Sequence, residues 1–292
     1  MRHRLIVAAA LAALLCLVAS ACDFKDVVPP GKAPLRYRDA IFTEVTKTTD
    51  ITYGSAPGFD GQTEALKLDL YRPAGDTVKK RPLVVFVHGG SFSSLDKTSP
   101  ELVDEANTLV KQGYVAVSID YRLAPDGCTS YSDECLSAIR AAWHDAQAAV
   151  RFMRLKDNTY GIDVNRIGIA GSSAGAITAV NVGYAGNDVG KSGTPGESSK
   201  VQAAVSLSGA AILTDPDKGE APALFMHSTG DHTVPYAWAT STITKATRVG
   251  AITELTAWDG TGHVPYVAHR DQILAETSNF LYHYLDLAHA AR

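Results

Sequence analysis

The chain of 292 residues is long enough for one large α/β domain or two small ones, and 46% hydrophobic with 20% charged residues describes a globular protein with a sizeable core. Its formal net charge is −4, with Lys and Arg scattered and no basic run, so nucleic-acid binding has no electrostatic footprint. No internal repeat, heptad pattern or low-complexity tract divides it.

At the N-terminus, Met1-Arg2-His3-Arg4 is a short basic region and Leu5–Ala19 an apolar stretch too short to span a bilayer comfortably. Ala19-Ser20-Ala21 is a small-residue cleavage site, so residues 1–21 read as a secretory signal peptide; an uncut membrane anchor is the alternative. The stretch VASAC, ending at Cys22, resembles the bacterial lipoprotein signal, in which that cysteine is lipidated and tethers the protein to a membrane. Ala19 stands where that signal usually has Leu, and ASA also suits ordinary signal peptidase. The expectation is an exported chain, either anchored through Cys22 or secreted or periplasmic. Cys128 and Cys135 share one loop and in an exported protein are expected to form a short disulfide. Zinc is not expected there, because no second ligand pair with suitable spacing appears.

Residues 22–38 are polar and Pro-rich, the composition of a tether or lead-in. Strands are expected near 41–52 and 66–71, separated by the turn-rich YGSAPGFDGQTEA. The continuous apolar run LVVFV (83–87) reads as a strand buried on both faces. A helix follows, with Ser99 as N-cap, Pro100 at its first position and Gly113 at its end. Next come a strand at 114–120, a long amphipathic helix at 135–156, the strand RIGIAG, and a small-residue helix from Ser173 to about Tyr184. Strands at 201–209 and 221–228, a helix ending at Gly250, a strand at ITELTAWDG and a final helix DQILAETSNFLYHYL complete the chain. Such alternation predicts one mostly parallel sheet flanked by helices on both faces, led in by antiparallel strands, as a single domain over 39–292.

The chemistry centres on Gly171-Ser172-Ser173-Ala174-Gly175. A serine hydroxyl is a poor nucleophile and needs a base, an acid to orient that base, and donors for the oxyanion. Gly-x-Ser-x-Gly between a buried strand and a helix forces the central serine, Ser173, onto a sharp strained turn. No other such pentapeptide occurs. Upstream, His88-Gly89-Gly90-Ser91 follows a buried strand, where glycines expose backbone N–H groups. His88 itself reads as an anchor for that loop rather than a catalytic group.

HGGSF, then DYRLAP (120–125), then GSSAG resemble the motifs of α/β-hydrolase esterases, particularly the hormone-sensitive-lipase-like and related bacterial carboxylesterase groups. The resemblance covers about Ala40 to Leu287. It implies an oxyanion hole from the N–H groups of Gly90, Ser91 and Ala174, with Gly89 lining it. It also implies the order serine, acid, histidine, which points to Asp231 in LFMHSTGD and His263 in TAWDGTGH. Ser91 stands where the lipase group usually has a third glycine, and Ser172 where an acidic residue is common, which leaves the subfamily open. Asp259 is too near the histidine in sequence to be preferred, and Asp215 and Asp217 precede the required strand. His227 and His144 read as packing residues, while His269, His283 and His289 read as surface ones. The implied reaction needs no metal or organic cofactor, and no feature points to a protein partner.

Only residues 210–222 separate two strands where a large cap commonly enters, so no large cap is expected. The loop 184–200 and the Cys128–Cys135 loop could then shape an open cleft for a small-molecule ester. A small-to-medium acyl, aryl or carbohydrate ester fits, the last acetylated or feruloylated. A serine peptidase or amidase, a thioesterase or lactonase, and a non-catalytic binding lipoprotein on the same scaffold remain as alternatives.

Overall fold

The computed structural model describes residues 32–128, 130–184 and 188–290; the expected signal peptide and Cys22 lie outside the described residues. β1 (Val45–Pro57) and β2 (Thr63–Pro73) form a hairpin, followed by β3 (Arg81–Val87), α1 (Pro100–Lys111) and β4 (Val115–Ile119). The long α2 (Asp133–Leu155) and the single-turn α3 (Asp157–Tyr160) lead to β5 (Ile162–Ser172) and α4 (Ala174–Gly183). Then come β6 (Ala203–Leu207), β7 (Ala223–Ser228), α5 (Tyr236–Val249), β8 (Thr253–Trp258), α6 (Tyr266–Tyr284) and α7 (Leu287–Ala290).

The strands form one eight-stranded sheet in the order β1-β2-β4-β3-β5-β6-β7-β8, antiparallel at β1–β2 and β2–β4 and parallel elsewhere. Alternation along β3 accounts for the layering. Leu83, Val85 and Val87 pack with Ile139 and Val150 of α2 and Ile177 and Val180 of α4, while Val84 and Phe86 pack with Leu102 and Leu109 of α1 and Phe280 and Leu281 of α6. This is the α/β-hydrolase fold. Among the described residues, the β6–β7 connection contains no helix or strand, and no helix is long and apolar enough to cross a membrane.

The strand order turns back on itself at β3: the chain passes outward to β4, then returns to β5 on the other side. At such a switch point, loops leaving neighbouring carboxyl ends diverge and open a crevice. Val87 pairs with Gly171 across β3 and β5, so the HGGSF loop and the GSSAG turn leave the sheet side by side. Pairing of Ser172 with Leu207 and of Ser228 with Trp258 brings the ends of β6, β7 and β8 to the same edge.

Three local features differ from the pattern read in the sequence. β1 does not end at Thr52 but runs to Pro57, because bulges between Thr48 and Ile51 and between Thr52 and Gly54 keep the chain in the ladder. The hairpin closes instead at Gly58, whose N–H donates to Gln62 O at 2.7 Å. Ser99 caps α1 in position only, since its hydroxyl donates backwards to Asp96 O at 2.9 Å. Finally, residues of the expected lead-in are packed: Tyr37 is fully buried, its N–H donates to Gln112 O at 2.7 Å, and Arg36 pairs with Asp76.

On α1, Glu105 is buried on the side of the helix that packs toward α6, and burial, reinforced by Glu101 and Asp104, pushes its carboxyl up to about 8. The native state therefore binds a proton that the unfolded chain releases near 4.5. The cost of ionising Glu105 is absent below the unfolded value and fully present above the folded one, so stability falls as pH rises through this window. Glu105→Gln should raise urea stability at pH 8 by on the order of 4 kcal/mol and leave it nearly unchanged at pH 4.5.

Candidate active site

Ser173 follows the last residue of β5 with φ 52° and ψ −117°, a conformation that side chains other than glycine rarely hold. The turn is held on both sides, because Ser173 N–H donates to Leu207 O at 2.9 Å and Ile177 N–H donates to Ser173 O at 3.0 Å. The flanking glycines are steric necessities. A Cβ on Gly175 would stand 1.9 Å from Val87 O, and one on Gly171 would stand 2.4 Å from the Gly175 backbone. The same turn separates the two serines. Ser172 Oγ donates to Glu101 Oε1 of α1 at 3.1 Å, whereas Ser173 Oγ lies 2.7 Å from His263 Nε2.

His263 Nδ1 lies 2.7 Å from Asp231 Oδ2. A carboxylate only accepts, so Nδ1 carries the proton and the Nε2 lone pair faces the serine hydroxyl. Asp231 belongs to the turn after β7, and its Oδ1 accepts Thr233 N–H at 2.8 Å and Val234 N–H at 3.2 Å. His263 belongs to the loop after β8, where Val264, at φ 48°, donates its N–H to Ser208 Oγ at 3.1 Å. Asp231 is wholly buried at its side chain while His263 remains 23% exposed. The pair is therefore dry at the acid and wet at the imidazole.

Gly90, Ser91 and Phe92 have φ of 96°, 53° and 61°, so the loop after β3 curls tightly before the buried Phe92 anchors it. Ala174 opens α4 beside Ser173, and Ser91 lines the same cavity as Ser173 and Ala174, at a helix N-terminus where negative charge is favoured. Gly89 is in contact range of the elbow, 3.3 Å from Ser173 Cβ to the point where its own Cβ would be. His88 does not reach Ser173. Its Nδ1 bonds Gly89 O at 2.8 Å, its ring stacks on Tyr121 at 4.2 Å, and burial lowers its pKa.

Three contributors were not assigned a role from the sequence, and a fourth, His227, was read only as packing. Tyr121, within DYRLAP, donates its hydroxyl to Gly89 O at 2.9 Å and His88 O at 3.1 Å, so that motif braces the loop after β3. His227 is more than a packing residue: its Nε2 lies 2.9 Å from Val234 O and 3.3 Å from Asp231 Oδ2. The four-residue spacing from His227 to Asp231 across a strand end was the available signal. Tyr131 and Trp238 stand at the mouth of a cavity of about 160 Å³ that reaches Ser173, their rings 5.9 Å apart. No sequence pattern marks those two, since they meet only through the fold. The same cavity is walled by Phe92, Ile177 and the Cys128–Cys135 disulfide. Among the rivals, Asp215, Asp217, His232 and Asp259 are exposed and make no contact with Ser173 or His263 among the hydrogen bonds and ion pairs of the described residues.

A family model described as BD-FAE matches residues 68–220, just over half of the chain and the span from β2 to the β6–β7 connection. Arylacetamide deacetylase-like 2 of Homo sapiens is 31% identical over 154 residues, covering 51% of this chain and 33% of that protein. Carboxylesterase NlhH of Mycobacterium tuberculosis is 34% identical over 136 residues, covering 46% of this chain and 38% of that one. The chain thus spans little more than a third of the length of either. Among solved structures, Thermogutta terrifontis esterase 2 superposes with a TM-score of 0.66 at 23% identity, covering 85% of this chain and 97% of that one. A truncated carbohydrate esterase from gut microbiota gives 0.64 at 19% identity, covering 82% and 96%.

Tyr121→Phe leaves two loop carbonyls without their hydroxyl donor and should lower the stability by about 1 kcal/mol, read as a shift in the urea midpoint.

Proposed function

The chain belongs to the BD-FAE family, and from that premise we propose that it is a serine carboxylesterase. The observation that carries this reading is the unbroken relay Asp231–His263–Ser173, 2.7 Å at each link, ending in a serine held on a left-handed turn. His263 Nε2 takes the Ser173 proton as Oγ attacks an ester carbonyl, and Asp231 stabilises the imidazolium. The N–H groups of Gly90, Ser91 and Ala174 hold the tetrahedral oxyanion. Collapse expels the alcohol, protonated by His263, and leaves Ser173 acylated. Water deprotonated by His263 then adds to the acyl carbon, and the carboxylic acid departs as Ser173 regains its proton.

The cavity at Ser173 supports a small-to-medium acyl or aryl group. Its volume of about 160 Å³ is small, its walls mix apolar side chains such as Phe92, Ile139 and Ile177 with polar ones, and two aromatic rings flank the mouth. A carbohydrate ester, with the sugar left in the open cleft, accords with the likeness to the gut carbohydrate esterase. Export is part of the same reading. The N-terminal residues 1–21 have the pattern of a signal peptide, and the Cys128–Cys135 disulfide suits an oxidising compartment. Fatty-acid mass on Cys22 of the protein taken from its host would establish the anchor.

A panel of p-nitrophenyl esters of increasing acyl length should show turnover favouring short and aryl acyl groups. Ser173→Ala should reduce kcat by about 10⁴-fold or more, while Ser172→Ala stays active. Activity that survives Ser173→Ala and disappears in Ser172→Ala would sink the assignment. Turnover of amides or thioesters without esters would transfer it to the peptidase or thioesterase alternative.

Reduction of the disulfide should act on substrate recognition rather than chemistry, because Cys128, Ser130, Tyr131 and Cys135 wall the cavity but lie outside the relay. The expected result with a dithiol is a several-fold rise in KM for aryl esters with kcat changed less, consistent with loss of ground-state contacts.

A further inference from the structure

A second imidazole touches the acid of the relay. His227, near the end of β7, is wholly buried, and its Nε2 faces two acceptors, Val234 O at 2.9 Å and Asp231 Oδ2 at 3.3 Å. Because neither acceptor can donate, Nε2 carries the proton. Nδ1, on the far side of the ring, is buried with no hydrogen-bond partner. A proton there would be an unsatisfied donor on a buried cation, so the ring is held neutral in a single tautomer. Burial lowers its pKa, and the charged or titratable groups acting on it most strongly are Asp231, which favours its cation, and His263, which opposes it. Tyr236 packs edge-on against the ring at 5.7 Å between centroids.

The two oxygens of Asp231 are secured differently. Oδ1 is held by two backbone amides within its own turn. Among the described residues, Oδ2 accepts from His263 Nδ1 at 2.7 Å, with His227 Nε2 in contact at 3.3 Å. The carboxylate is a rigid plane, so a shift of the turn that carries Oδ1 also carries Oδ2 away from His263. His227 opposes such a shift, because its donation to Val234 O ties the strand to the end of that turn. A lysine or arginine could make that tie too, but its charge would offset the negative charge that the His263 imidazolium requires. A neutral donor makes it without that effect.

We propose that His227 is a positioning residue that acts through Asp231: its neutral Nε2–H donates to Val234 O, whose residue in turn donates to Oδ1, and so keeps Oδ2 in line with His263 Nδ1. The proposal rests on the reading of Asp231–His263–Ser173 as the catalytic relay, and one of its two readouts is independent of turnover. The first compares His227→Gln, whose amide places an N–H donor near the Nε2 position, with His227→Leu, which fills the space and donates nothing. His227→Leu should lower kcat by about 10-fold with KM nearly unchanged, the loss expected when the one hydrogen bond that ties β7 to the turn of Asp231 disappears. His227→Gln should recover most of that loss. The second readout is the NMR titration of the His263 ring in each protein. In His227→Leu the titration should move to lower pH, because His263 loses part of its counter-charge, and in His227→Gln it should return toward wild type.

Equal loss of activity in both variants, with His263 titrating as in wild type, would overturn the proposal and leave His227 a packing residue. So would full activity in His227→Leu. If His227→Leu does not fold, His227→Met supplies an unbranched apolar replacement for the same comparison. A wild-type protein that hydrolyses no ester would count against the esterase reading alone, and the His263 titrations would still decide the role of His227.

Discussion

The close crossing of β5 and α4 over the end of β3 is the constraint from which the rest of the site follows. Gly175 approaches Val87 O so nearly that no side chain fits between them, and this forces the residue at the apex out of ordinary backbone space. Holding Ser173 at φ 52° costs on the order of 1–3 kcal/mol. The conformation persists because it is determined from three directions: the Leu207 carbonyl of β6, the first turn of α4, and the β3–β5 pairing at Val87 and Gly171. Were the apex to relax, Ser173 Oγ would leave the line to His263, and Ala174 at the start of α4 would move with it. The proposed nucleophile and a proposed oxyanion donor are therefore placed by one piece of backbone geometry.

Around that apex the polarity is graded. Asp231 is dry and held, with two amides on one oxygen and the His263 imidazole on the other, His227 lying against it. So many partners keep the carboxylate in one orientation. His263 is partly exposed and sits on a loop tied down at Val264. On the proposed reaction this suits a group that accepts a proton from serine and later takes one from water, since water has to reach it for the acyl group to leave. Ser172 completes the arrangement by turning away, its hydroxyl spent on Glu101 of the neighbouring helix.

Much of this was legible in the sequence because it is local or ordered along the chain. The run LVVFV declared a strand buried on both faces, GSSAG declared its turn through glycine spacing, and the positions of Asp231 and His263 were implied by the resemblance to α/β-hydrolase esterases. Contacts between distant segments were not legible. β1 was read as ending early because Gly54, Ser55 and Pro57 look like turn residues, yet bulges absorb them and the ladder continues. Tyr37 was read as part of a polar lead-in, and only the groove between α1 and β4 gives its ring a burial site. Tyr131 and Trp238 are separated by more than a hundred residues, and nothing in either neighbourhood signals that they face each other. His227 was read as core because a histidine inside an apolar strand usually is core; its second partner appears only when the β7 turn folds back on the strand.

The loop after β3 and the cavity wall are mechanically one body, and this links recognition to chemistry. Ala124 N–H donates to Phe92 O and Cys128 N–H donates to Ser91 O, both at 2.8 Å, while Tyr121 holds the carbonyls of His88 and Gly89. The segment from Tyr121 to Cys128 thus braces the amides of Gly90 and Ser91 from behind. The same segment runs on into the disulfide loop that carries Tyr131. On the proposed reaction, a substrate seated against the cavity wall bears on the same segment that braces the amides assigned to the oxyanion. Binding energy gained at the ring end of a substrate can then appear as stabilisation of the transition state rather than of the bound ester alone. Neither a free-standing lid nor a separate cap could deliver that coupling so directly, because their movement would not be transmitted through the hydrogen bonds that fix Ser91.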